Sequence, residues 1–204
     1  MESIASKKKA IFDSTLELIK EHGFHGAPMS LVAKNAGVAA GTIYHYFESK
    51  DQLIYELYDY NKSRVVEIVH AALEENGSYK EKFFKIWMHV YRFYIQNTNV
   101  LIFFEQYVNS PYNETKQPDD LQDRPLYNFL VEGINNGFLK GVKPEILLVL
   151  IISSILSTAK LNQFGNISLD PTDLNQIVDL LWDGIAISPA SGSDTFPKRA
   201  NNLL

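Results

Sequence analysis

Cysteine is missing from this 204-residue chain. Disulfide frameworks, thiol nucleophiles and thiolate metal sites are therefore excluded, and a reducing compartment fits. A leader is not expected either. The lysine run Lys7-Lys8-Lys9 is not followed by the apolar core of a signal peptide. No export is expected, and a cytoplasmic location is. The Asn-x-Ser/Thr triplets at Asn61, Asn76, Asn113 and Asn166 then carry no weight as glycan sites. The longest apolar run, Ile146 to Ala159, lies between Glu145 and Lys160. It falls short of the roughly 20 residues of a membrane span, and reads as a buried helix with no membrane role. Catalytic signatures are also absent: there is no G-x-G-x-x-G, phosphate loop, G-x-S-x-G or H-E-x-x-H. His22 and His25 make only a weak metal pair, and His22 is explained by a helix C-terminus. Neither enzyme activity nor a cofactor or metal is expected.

Excess positive charge is lacking as well. The net charge is -5 and the pI about 5.5, which as a whole disfavours nucleic acid. The distribution is uneven, however. Residues 1–50 hold six lysines against five carboxylates, and residues 51–204 hold 13 basic against 19 acidic groups. A DNA-facing N-terminus on an acidic body is permitted.

The punctuation predicts an all-α chain. Ile11, Thr15, Leu18 and Ile19 share one helical face, ended by Gly23 with Phe24 folding back. Pro28 opens a second helix that runs to Ala36, and Gly37 turns the chain into a third over about 39–46. Ser49 and Gln52 have the spacing of a capping box for a long helix to about Glu75. Further helices are expected at about 79–96, 100–108, 125–138, 144–164 and 171–187. Residues 109–124 read as a surface loop. Domain boundaries follow: 1–48, 49–187, and a disordered tail at 188–204.

Residues 32–53, VAKNAGVAAGTIYHYFESKDQL, carry the function. Small residues at Ala33 and Ala36 allow two helices to approach, Gly37 permits the tight turn, and Val38 plugs between them. This is helix-turn-helix logic, although plain bundles use it too. The segment also resembles the DNA-binding domain of TetR-family transcriptional regulators. The resemblance rests on Ile11-Phe12-Asp13, Leu16-Glu17-Leu18, Gly23-Phe24, Val32-Ala33, Ala36-Gly37-Val38, Gly41-Thr42-Ile43-Tyr44-His45-Tyr46-Phe47 and Ser49-Lys50-Asp51-Gln52-Leu53. It implies DNA contacts at Ser30, Ala40, Gly41, Thr42, Tyr44, His45, Tyr46 and Lys50. Tyr46 is equally placed to brace the fold, and Phe47 belongs to the core. Lys7 to Lys9 form either a backbone-tracking arm or a solvated run. The chain departs from the family pattern at Ala39-Ala40, where a polar pair is common, and at Pro28, Ser30 and Leu31. Direct base reading is thus expected to be thin, with DNA shape supplying the rest.

For the body, the resemblance implies an effector pocket and a dimer. Trp87, Tyr91, Phe103, Phe104, Tyr107 and Phe129, with Ile134, are the candidate pocket residues; Gln106, His89 and Asn162 are candidate polar partners. A small apolar or aromatic effector is expected. The helices at 144–164 and 171–187 are expected to pair across a homodimer, since a helix apolar nearly all round must be buried. The reading is a ligand-responsive repressor bound as a homodimer to a near-palindromic operator. Its rival is a protein of the same architecture that binds DNA or protein partners without a small-molecule effector.

Overall fold

The structure is a computed structural model and describes residues 4–115, 125–165 and 167–187. The expected tail and the end of the expected loop lie outside those residues. Helix α1 (Ile4–His22) buries Ile11, Phe12, Thr15, Leu16, Leu18 and Ile19. It stops where Gly23 takes φ +68° and its N–H donates to Ile19 O at 2.8 Å. The ring of Phe24 turns to the body. It packs on Phe103 and Tyr112, with ring centroids 6.0 and 5.0 Å away, because the first helix rests against the body rather than standing apart.

Helix α2 (Met29–Asn35) starts after Pro28, whose carbonyl accepts from Leu31 and Val32. The Ser14 hydroxyl donates to Val32 O and ties α1 to α2. Gly37 at φ +67° makes the turn, and Val38 N–H reaches back to Ala33 O at 3.0 Å. Helix α3 (Ala40–Tyr46) then buries Ile43 alone. Phe47 closes this head as core, fully buried against Phe12.

Helix α4 (Lys50–Glu74) runs from head to body, about 37 Å at 1.5 Å per residue. The Ser49 hydroxyl caps it by accepting from Gln52 N–H. The reciprocal bond lands one residue earlier than expected: Gln52 Oε1 accepts from Glu48 N–H. Glu48, not the cap residue, is therefore the one held, and the Phe47–Ser49 link is pinned to the helix start. Within α4, the buried Asn61 donates to Leu57 O and accepts from Arg64, whose other nitrogen reaches Asn97.

Asn97 separates α5 (Tyr79–Gln96) from α6 (Thr98–Val108). A reciprocal Ser78–Glu81 box opens α5. Short helix α7 (Pro111–Thr115) occupies part of the expected loop. Helices α8 (Pro125–Asn135), α9 (Pro144–Phe164) and α10 (Pro171–Ile185) complete the body. Tyr79 stacks between Phe129 and Phe138 and donates to Phe129 O at 2.8 Å. The Trp87 indole donates to Ser154 on α9, and Asn162 to the Tyr91 hydroxyl. Taken whole, α9 is long and apolar enough for a membrane span by length and composition. Leu147, Leu148, Ile151 and Ile155 nevertheless pack into the core, while Ile146, Val149, Leu150, Leu161 and Phe164 stay exposed.

Candidate DNA-reading face and effector cavity

The reading face is built by what α3 does not bury. With Ile43 inward, Ala40, Gly41, Tyr44 and His45 are exposed, joined by Ser30 at the start of α2. Thr42 and Tyr46 are half-buried. Tyr44 is 57% exposed, a large ring left in water where burial would be favourable. A Cβ at Gly41 would meet nothing within 4 Å, and its φ is not positive. Nothing inside the fold requires glycine there.

Lys50 sits differently from the other seven. Its amine donates to Phe24 O, and burial pulls its pKa below the usual lysine value. It points into the junction between head and body. Two lysines of α1 are also engaged: Lys8 pairs with Glu56 at 2.7 Å and Lys9 with Asp13 at 2.6 Å.

The body encloses a cavity of about 400 Å³ between α4, α5, α6, α9 and the start of α8. That lies within the roughly 300–1,000 Å³ of small-molecule pockets. Val65, Val66 and Val69 on α4, Ile86 and Val90 on α5, Leu101 and Phe104 on α6, and Leu148, Ile152, Ile155 and Leu156 on α9 line it. Tyr58, Tyr94, Lys62, Glu105, Ser157 and Lys160 add polar edges, and Lys160 is ion-paired with Glu105. Burial pushes the Tyr94 phenol well above its usual range, so it stays a neutral donor.

Of the aromatic residues singled out from sequence, only Phe104 stands on this wall. Trp87 and Tyr91 stack on each other, Phe103 carries Phe24, Tyr107 stacks on Tyr58 and bonds Tyr112 O, and Phe129 stacks on Tyr79. They are spent on pairwise ring contacts in the core. Of the polar candidates, Gln106 donates to Ile19 O, Asn162 to Tyr91, and His89 faces Glu75 at 3.9 Å. The aliphatic wall was missed because one helix's periodicity shows which face is buried, not where several buried faces fail to meet.

A second cleft, of about 720 Å³, separates head from body. Phe24 and His25 wall it on one side, Lys50, Asp51 and Tyr55 at the start of α4, and Glu105, Gln106 and Asn109 to Tyr112 on the other.

A helix-turn-helix head on a long helix, seated on an all-α body with an apolar cavity, defines the class of helix-turn-helix DNA-binding transcription regulators with a separate helical body. The family comparison agrees. Residues 11–57 match the model of bacterial regulatory proteins, tetR family, and residues 78–186 match the tetracyclin repressor-like C-terminal domain. The chain belongs to the TetR family of transcriptional regulators. It is 27% identical to the fatty acid metabolism regulator protein of Bacillus subtilis over 185 residues, 88% of this chain and 95% of that one. A TetR family regulator from Marinobacter aquaeolei superposes with a TM-score of 0.80 at 21% identity, over 89% of this chain and 96% of that one. The Bacillus subtilis transcriptional regulator FadR, solved in complex with stearoyl-CoA, superposes with a TM-score of 0.67 at 24% identity, over 87% and 98%.

Proposed function

We propose that this regulator is a homodimeric repressor that leaves its operator when a ligand with a long apolar chain enters the body. The aliphatic cavity carries the reading. It is bounded by α4, the same helix that begins at the reading head, so a change in its width is felt at the DNA face. The likeness to a regulator solved with stearoyl-CoA supports a chain-bearing ligand. The ligand is read as aliphatic rather than aromatic, since the walls are mostly Val, Leu and Ile.

In this reading residues 1–48 form the DNA-binding unit and 49–187 the sensory and dimerising unit, acting in the cytoplasm. Ser30, Ala40, Gly41, Thr42, Tyr44, His45 and Tyr46 meet the groove or backbone. Lys50 contributes from the rim, after releasing Phe24 O. The dimer forms through the stripe Ile146, Leu150, Ser153, Ser157, Leu161 and Phe164 on α9, at helical spacing and exposed in the protomer, with Leu180 exposed on α10. A two-fold axis there presents two heads to successive major grooves, about 34–36 Å apart for half-sites one turn apart. The dimer interface also covers the apolar face of α9, leaving no role for a bilayer.

The test is selection from a randomised DNA library, followed by titration of the selected duplex complex with acyl ligands of graded chain length. Recovery of a near-palindrome and chain-length-dependent release is expected. A palindrome with no release by any chain favours the effector-free interaction protein.

A further inference from the structure

The body cavity and the head–body cleft meet along the end of α6. Glu105 and Asn109, one helical turn apart, line both. The polar edge of the body cavity gathers at that same end. Along α4 the lining runs from Lys62 to the apolar Val69, and along α9 from Lys160 and Ser157 to the apolar Leu148. Lys160 and Glu105 are bonded to each other, which fixes the two polar ends together. A chain lying in the body cavity therefore has its polar terminus beside Glu105 and Asn109. The volume it enters next is the cleft.

The cleft selects the chemistry of that terminus. Its amine, Lys50, is already bonded to Phe24 O. Of its carboxylates, Asp51 is hydrogen-bonded to the Tyr112 hydroxyl and Glu105 to Lys160. An anionic head there meets two carboxylates and an amine in use. A head rich in hydroxyl or amide donors meets acceptor oxygens at Asp51, Glu105, Gln106 and Asn109. Resting on the apolar-chain reading of the body cavity, we infer that the effector is a two-part amphiphile: a single apolar chain in the body, joined across Glu105 and Asn109 to an uncharged, donor-rich head that occupies the cleft. Because Phe24 and His25 on one wall belong to the reading head, and Ser110 to Tyr112 on the other belong to the body, the head acts as a wedge between them. The chain supplies affinity and the head supplies the signal.

Calorimetric titration of the full-length protein with three probes of one chain length separates the parts: a monoacylglycerol, the free fatty acid and the acyl-coenzyme A thioester. The monoacylglycerol is expected to bind tightest. Asp51→Ala and His25→Trp, both at exposed positions that line the cleft and not the body cavity, should each weaken it about tenfold, the cost of a lost hydrogen bond or an obstructed seat, while leaving the fatty acid unchanged. Val66→Trp, on the wall of the body cavity, should weaken all three. Equal affinity of all heads, with the cleft variants silent and Val66→Trp effective, overturns the head assignment and leaves the chain reading standing. The thioester binding tightest overturns it also. No binding of any probe removes the apolar-chain reading itself.

Discussion

Leu150→Asp tests the dimer where its arithmetic is tightest. Ile146, Val149, Leu150, Leu161 and Phe164 are between 40% and 63% exposed in the protomer. Full burial of such a side chain contributes about 1.5–3 kcal/mol, so covering the remaining half of each contributes about 1 kcal/mol. Two-fold symmetry counts each residue twice, for about 10 kcal/mol gross. Association costs roughly 4–15 kcal/mol of lost freedom, so the margin is narrow and one position matters. An aspartate at 150 removes about 2 kcal/mol of apolar burial from the dimer, and desolvating each of two carboxylates costs about 1–3 kcal/mol more. The sum, about 4–8 kcal/mol, is a rise in dimer dissociation constant of at least about a thousandfold. Sedimentation velocity over a concentration series reads it directly. Far-ultraviolet circular dichroism should be unchanged, because Leu150 is exposed in the protomer and its loss opens no cavity there. Operator affinity should collapse with the dimer. A variant as dimeric as the parent would show that α9 does not form the interface and that its exposed stripe needs another explanation.

Gly41→Ala should leave the protein folded, or stabilise α3 by up to about 1 kcal/mol, since its Cβ meets nothing; operator binding should still weaken in an anisotropy titration, because only the DNA backbone needs that space. Tyr44→Ala should leave the melting temperature unchanged and relax sequence preference in the selected pool, its ring being largely in solvent. Gly133→Ala should lower the melting temperature: the new Cβ would stand 2.0 Å from the Tyr79 hydroxyl, and overpacking of this kind costs about 1–3 kcal/mol, or roughly 2–4 °C per kcal/mol at this size. Tyr112 gives a pH signature. Burial first, and the Asp51 carboxylate second, push its phenol up to about 12, above the unfolded value of about 10. The folded state favours the protonated form, so this contribution is complete below about pH 10 and fades as pH rises toward 12. Thermal melts from pH 9 to 12 should fall more steeply for the parent than for Tyr112→Phe, and equal slopes would refute the assignment.

Much of the fold is legible in single residues. Pro144 and Pro171 start α9 and α10, Ser49 caps α4, and Gly23 and Gly37 stop helices with positive φ. Each is a local rule, and each holds because no distant contact competes with it. Local rules say less where distant contacts decide. Phe24 follows a helix stop, and its aromatic contacts come from Phe103 and Tyr112, far along the chain. Residues 111–115 carry a proline and an acid and read as loop, yet Tyr112 anchors them as α7 on Tyr55 and Tyr107. Lys50 follows a helix cap, where a lysine reads as a phosphate contact. In the protomer its amine bonds Phe24 O, 26 residues earlier in the chain, a contact that a phosphate would have to replace. The reading face was easier than the cavity for the same reason: a face is the outside of one short helix, and a cavity is what five packed elements leave between them.

The part of the head–body contact made by α6 and α7 is weak enough to be switched. The Gln106 amide donates to Ile19 O at the end of α1, and Phe24 rests on Phe103 and Tyr112. Net, such a hydrogen bond contributes about 0.5–1.5 kcal/mol and each aromatic contact about 0.5–1.5 kcal/mol beyond burial. Their sum is of the same order as the roughly 1–3 kcal/mol of coupling by which effectors alter affinity elsewhere. A ligand need not rebuild the core to move the head. Every one of these contacts is made by α6 or by α7, which follows it, and α6 also walls both cavities. A shift of α6 that costs those contacts frees the end of α1 and, through Ser14 on Val32 O, carries α2 with it. On the proposed reading, the signal therefore enters at α6 and reaches the head through α1, alongside the path through α4.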